Sequence, residues 1–419
     1  MNTPLRFLLL FLISFGVSTS LGEKENTARP CAEFAGIWFY SAIKQNTTKK
    51  QFPIGYVYGP STSKEVGKDN ISNLHKAMHA GLLKERKKDG RRILDYMPED
   101  PEADFSNSVT SDSVVFACAL NYEHVESQYE AGTGSAYSKI LAEIGFDLVI
   151  CNFKDRRILA TIPGRVVAID AVPGRASQSK KNALLHHLYE KKLIPEFIKL
   201  CKAPYSSLMA TKTLGIDKIR VDKGALEKIP TNYKAAGERS YMAYLSSLVS
   251  SSFYSAVKVP ILPWSGGGDK IFYVMSERIK DTGRVMDEAL KDNVAHEKES
   301  GNPEPTGKDF LLKKPDYTLE VVFPGFLTHT MQSNKFQKQL AFVAFCGLRL
   351  KQGDREIIMI KFKDAVSSTY PTDIKLESSW INYEDATIKM LRSAAITLKK
   401  RKKPTPLSNK HLLIKQLIY

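Results

Sequence analysis

Apolar residues along this chain alternate in some stretches and recur at helical spacing in others, which divides it into two runs of mixed structure. Over Ser113 to Asn121, Val114, Phe116, Cys118 and Leu120 alternate with Val115, Ala117 and Ala119. Both faces of that segment are apolar, which predicts a central strand. A short helix is predicted from Ser135 to Ile144. Phe146–Phe153 and Arg157–Ile162 flank the turn Lys154-Asp155-Arg156 and read as a hairpin, with Arg165–Val172 as a third strand. Asn182–Lys202 places Leu184, Leu188, Ile194, Phe197, Ile198 and Cys201 near one helical face, with a break expected at Pro195.

The second run repeats this logic on a larger scale. A helix from Ala236 to Ala256 carries Met242, Leu245, Leu248, Val249 and Phe253 at helical spacing, and a second is predicted over Val274–Lys291. Two prolines confine Lys258–Trp264 to an edge strand or extended turn. Tyr317–Leu327 and Leu340–Leu350 read as long strands, and Glu356–Phe362 closes a hairpin through Lys351-Gln352-Gly353-Asp354. Asn382–Lys400 ends the run as a helix. The fold class is therefore α/β or α+β, with two mixed-sheet units and helices packed on the sheets. The organisation reads as an N-terminal region over 23–109, a first unit over 110–205, a connector over 206–235, a second unit over 236–400 and a basic tail over 401–419. Asn293–Pro315 is polar and turn-rich, as an exposed loop would be.

Residues 1–22 change the picture. Arg6, the apolar run Phe7–Val17 and the small residues Ser20 and Gly22 have the layout of a secretory signal peptide cut before Glu23. Eleven apolar residues fall short of the ~20 that span a bilayer, so cleavage is expected over anchoring. The expected destination is export, to a periplasm or to the exterior. The formal net charge of +16 becomes +15 once Arg6 is removed. An exported chain of that charge meets envelope proteins and anionic lipids or polymers, whereas nucleic acid is disfavoured as a partner. The run Lys399, Lys400, Arg401, Lys402 and Lys403 after the last helix is the candidate anion contact.

Candidate chemistry is sparse. Five cysteines cannot all pair within one chain, and Cys118, Cys151 and Cys346 lie in apolar runs that favour burial as free thiols, with a Cys118–Cys151 bridge as the alternative. No Cys-x-x-Cys pair exists, and His186-His187 with Glu190 lacks the further ligands a metal needs, so neither metal nor cofactor is implied. Ser177 and Lys180 have the Ser-x-x-Lys spacing of a nucleophile and its base, but Ser61 and Lys64 share it and no Lys-Thr-Gly partner follows. Gly132-Thr133-Gly134, before the predicted helix, could cradle an anion with its backbone N–H groups, but it lacks the full spacing of a nucleotide fingerprint and reads as an ordinary helix-entry turn.

The order of elements over about 235–400, with a helix leading into Val259–Trp264, Pro315-Asp316-Tyr317-Thr318-Leu319 opening a strand and the strand-turn-strand Leu348–Ile358, resembles the periplasmic α/β module of the curli-secretion lipoprotein and of lipoprotein activators of penicillin-binding proteins. The chain departs from those proteins in having no cysteine suited to lipidation near its start. The resemblance implies an envelope interaction or assembly module without catalytic residues. Two readings of function follow: an exported non-catalytic binding protein acting through a basic surface or sheet edge, and an envelope hydrolase using Ser177 and Lys180.

Overall fold

The computed structural model describes residues 32–39, 52–55, 73–85, 114–132, 135–152, 157–202, 212–231, 238–262, 311–312, 314–376 and 378–400, with single positions between them. Residues 1–22, read above as a signal peptide, the predicted helix Val274–Lys291, most of the polar stretch 293–315, Ser61–Lys64 and the tail 401–419 lie outside the described residues.

Two six-stranded mixed sheets with helices packed on them make an α+β fold. Sheet 1 has the order β1 (Ala32–Phe39), β2 (Val114–Gly132), β3 (Ser135–Asn152), β4 (Arg157–Pro173) and β7 (Leu311–Leu312), with β12 (Lys375–Leu376) beside β2. Sheet 2 has the order β11 (Arg355–Pro371), β10 (Gln337–Gln352), β8 (Tyr317–Phe323), β5 (Leu214–Val221) and β6 (Ile261–Leu262), with β9 (Phe326–Ser333) also on β10. On one side of sheet 1 lie α1 (Asn73–Lys84), α2 (Gln178–His187) and α3 (Ile194–Cys201), where Phe197 meets both Phe34 and Phe146. Between the sheets lie α4 (Glu238–Val257) and α5 (Trp380–Lys400). Tyr244 of α4 reaches Tyr122 of sheet 1, and Tyr383 of α5 reaches Phe342 of sheet 2. The layers thus run helix, sheet, helix, sheet.

With the two-residue strands β6, β7 and β12 set aside and β8 and β9 taken together as the counterpart of β2, the two units share one order, β-α-β-β-β-α. β1 runs parallel to β2 as β5 runs parallel to β8, and both pairs carry a bulge one residue after the third ladder pair, at Phe34/Gly36 and at Ile216/Lys218. The β3–β4 and β10–β11 hairpins both bulge between the second and third pairs from the turn. β2 shifts register at Asn121 after seven residues, and the matching seven residues of β8 end at Pro324-Gly325. β5 falls in the segment read as connector, because Gly215, Asp217, Lys218 and Arg220 interrupt its eight residues and leave no apolar run long enough to register as a strand.

Several expectations need correction. Ser135–Ile144 is the first half of strand β3, not a helix: its alanine, lysine and leucine favour a helix only weakly, and pairing with β2 and β4 on both edges overrides that. Gly132 pairs with Ser135 across this hairpin, so a strand and not a helix follows the glycines, and the helix N-terminus that an anion would need is not there. Arg157–Ile162 and Arg165–Val172 are one continuous strand, β4. In place of the break expected at Pro195 the chain makes a π-helical turn over Leu188–Leu193 that runs on into α3, and Pro195 sits in the first turn of that helix. A Cys118–Cys151 bridge is excluded by geometry. Cys118 shares a face with its partner Leu148, so Cys151, three residues on, points to the other face. Both are free and buried, as are Cys201 and Cys346, and burial pushes all four thiols up, Cys151 to about 12.

Candidate functional site

The bulge at Asn121 reverses which residues of β2 face which layer. Before it, Phe116, Cys118 and Leu120 face α2 and α3; after it, Tyr122 and His124 face α4 and α5, while Glu123 turns toward Tyr189. This single extra residue sets polar groups into two interior places.

Between sheet 1 and the middle helices, Arg165 of β4 forms ion pairs with Glu143 of β3 and Glu384 of α5. Glu384 also accepts a hydrogen bond of 2.6 Å from the Tyr244 hydroxyl, and Tyr122 donates to Glu143 at 3.5 Å. Gly145 is required here, since a Cβ would lie 2.1 Å from the Tyr122 ring. Burial lifts the Glu384 carboxyl while Arg165 opposes it. Burial, helped by Arg165, drives His124 down to about 3, so its imidazole is neutral at physiological pH. Both carboxylates are buried, and the cluster joins the layers rather than opening to a substrate.

On the opposite face, Glu123 accepts from the Ile54 and Gly55 amides at 3.0 and 2.6 Å and from the Tyr189 hydroxyl at 3.0 Å. Burial outweighs these donors and raises its carboxyl to about 7. Because the folded pKa exceeds the unfolded one, the folded state holds the proton more tightly, and stability falls as pH rises from about 4.5 through 7, by roughly 3 kcal/mol in all. Glu123→Gln is expected to flatten that slope and to unfold at higher denaturant than the parent at pH 8, with little difference at pH 4. Urea titrations at both values check it.

The face of sheet 2 turned away from α4 and α5 is the accessible one. One row across its strands is Lys218, Glu320, Arg349 and Met359; the next is Arg220, Val322, Gly347 and Lys361, followed by Phe345 with Lys363. Lys218, Arg220, Lys361 and Lys363 are exposed, Met359 is 54% exposed and Leu327, from β9, 51%. Val322, Val343 and Phe345 form a half-buried apolar strip among them. Glu320 is bracketed by Lys351 and by Arg349, at 3.1 Å from the latter, and Lys351 foremost holds its carboxyl below the usual range. Arg349 also meets Glu356 at 3.0 Å. Arg220 pairs with Asp222 at 3.1 Å.

The open edge of sheet 2 is blunted. At Ala365 of β11 the N–H is taken by Asp364 at 2.8 Å and the carbonyl by Lys389 of α5 at 2.9 Å, and Lys389 pairs with Asp364 at 3.0 Å. An incoming strand would have to displace both. Asp170 takes the Ala171 N–H of β4 in the same manner.

The residues singled out in sequence fall elsewhere. Ser177 is the N-cap of α2, and its Oγ accepts the Lys180 backbone N–H at 3.3 Å; both residues are exposed. Lys399 is exposed in the last turn of α5, Lys400 ends that helix, and Arg401, Lys402 and Lys403 lie outside the described residues. His187 and Glu190 are exposed at the end of α2 and in the π-helical turn, and no group of three metal-ligating side chains gathers among the described residues. The open face was missed because its basic residues are spread over three strands far apart in sequence, and alternation alone does not say which face a partner layer covers.

No family model and no curated protein matches the chain. Among solved structures it is similar to a neuraminyllactose-binding hemagglutinin homolog from Helicobacter pylori, at 12% identity over 49% of this chain and 88% of that one, with a TM-score of 0.20. A TM-score at that level carries neither fold nor function across.

Proposed function

We propose that this is an exported, non-catalytic binding protein of the cell envelope that engages an anionic partner through the open basic face of sheet 2. The observation that supports it is that face: exposed Lys218, Arg220, Lys361 and Lys363 around a half-buried apolar strip, on a sheet whose other side packs against α4 and α5. The layout of residues 1–22 supports export, and no described helix is long and apolar enough to cross a membrane. The face is favoured over the edge because Asp364 and Lys389 occupy the backbone groups at Ala365. A hydrolase reading finds no support in the geometry, since the Ser177 hydroxyl serves the helix start.

Two measurements test this. The chain expressed with residues 1–22 should be exported and lose them. The mature chain should bind isolated envelopes at low salt and be released at high salt, and Lys218→Glu/Lys361→Glu/Lys363→Glu should bind roughly tenfold or more weakly. Retention in the cytoplasm, or equal binding by the charge-reversed variant, would sink the proposal.

A further inference from the structure

The shared topology of the two units allows their faces to be compared position by position. Counted from the hairpin turn, Gly145 with Arg165 is the eighth ladder pair of β3–β4, and Phe345 with Lys363 is the eighth of β10–β11. Each sheet carries its own unit's helices on one face: α1, α2 and α3 on sheet 1, α4 and α5 on sheet 2. Gly145 and Arg165 lie on the other face of sheet 1, and Phe345 and Lys363 on the other face of sheet 2. On sheet 1 that face is covered by the next unit's helices, and α5 delivers the Glu384 carboxylate onto Arg165. On sheet 2 the corresponding cation, Lys363, is exposed.

Resting on the binding function proposed above, we infer that the open face of sheet 2 docks an acidic helical layer of a partner protein, as α4 and α5 dock on sheet 1. A carboxylate of the partner's helix pairs with Lys363 as Glu384 pairs with Arg165. The apolar strip of Val322, Val343 and Phe345 supplies the contact for the helix's apolar stripe, and Lys218, Arg220 and Lys361 flank it. Charge complementarity selects the partner. A second copy of this chain would present the outer helical layer, where Lys180, Lys191 and Lys192 are exposed and Lys199 and Lys202 pair with Glu196 and Glu85, so that layer offers no excess of carboxylates and like charges oppose the stacking. A flat anionic surface would satisfy the cations but leave the strip between them without a matching ridge.

The test uses the whole mature chain with two synthetic peptides of about 20 residues built from Leu, Ala and Glu. One has its leucines on a single helical stripe; the other has the same composition in scrambled order. Phosphatidylglycerol vesicles are the third probe, and the readout is protection of Lys361 and Lys363 from acetylation, located by mass spectrometry. The amphipathic peptide should protect both lysines and bind at least tenfold more tightly than the scrambled one, and Lys363→Glu should weaken it at least fivefold. Equal binding of the two peptides would overturn the helical partner and leave a general anion-binding face. Protection by vesicles alone would assign the face to lipid and also overturn it. Envelope binding that persists while no peptide binds overturns this inference but not the binding function, whereas loss of both removes the two together.

Discussion

Arg165→Met is expected to lower the unfolding free energy by about 3–5 kcal/mol, read from urea or guanidinium midpoints at pH 7. The substitution keeps an unbranched chain of similar length but leaves Glu143 and Glu384 buried without their cation. Each carboxylate then faces the desolvation that Arg165 had offset, and the like charges repel. Lowering the pH should restore part of the loss, because protonation removes the uncompensated charge. The combined variant Arg165→Met/Glu143→Leu/Glu384→Leu discriminates between a bridge that is itself stabilising and one that only tolerates its own burial. Apolar replacement of the whole cluster is expected to recover most of the loss, as buried ion pairs seldom outweigh well-packed side chains. If Arg165→Met is silent, the middle helices are not held to sheet 1 through this cluster.

The second large effect is expected at Trp380, where α5 begins. Its indole is 1% exposed, stands edge-on to Phe326 with ring centroids 5.4 Å apart and lies 6.3 Å from Tyr244. It therefore wedges together the start of β9, α4 and α5. Trp380→Ala should cost about 3–5 kcal/mol through lost burial and the cavity left behind. Trp380→Phe should cost markedly less. It keeps most of the ring contact and removes an indole N–H that is buried with no acceptor among the described residues. Thermal unfolding of both variants checks the order, and a phenylalanine variant as unstable as the alanine one would show that indole volume, not ring contact, holds this corner.

How much of this was legible in sequence differs from element to element. Val114–Leu120 could be read as a central strand because both faces are apolar, and α4 and α5 because their apolar residues recur at helical spacing. Ser135–Ile144 could not, since Ala136, Lys139, Leu141 and Glu143 suit a helix and only two flanking strands made it extended. Glu143 reads locally as a solvated helical charge, yet it is fully buried against Arg165. The duplicated topology was visible only as a loose echo between the two halves. What establishes it is the matching bulges, and a bulge is a property of a pair of strands.

The candidate site divides in the same way. Lysines and arginines at alternate positions of β10 and β11 are plain in the sequence, as are the total charge and the signal-like start. Their gathering with Lys218 and Arg220 into one basic face depends on β5 running parallel beside β8, an association between segments about a hundred residues apart. By itself, the sequence determined the local preferences: which stretches alternate, which turn and where the chain's charge lies. Only the tertiary structure decided which of two apolar-enough faces is covered. That choice rests on which helices pack on which sheet, and burial by a remote layer leaves no periodic trace in the strand it covers.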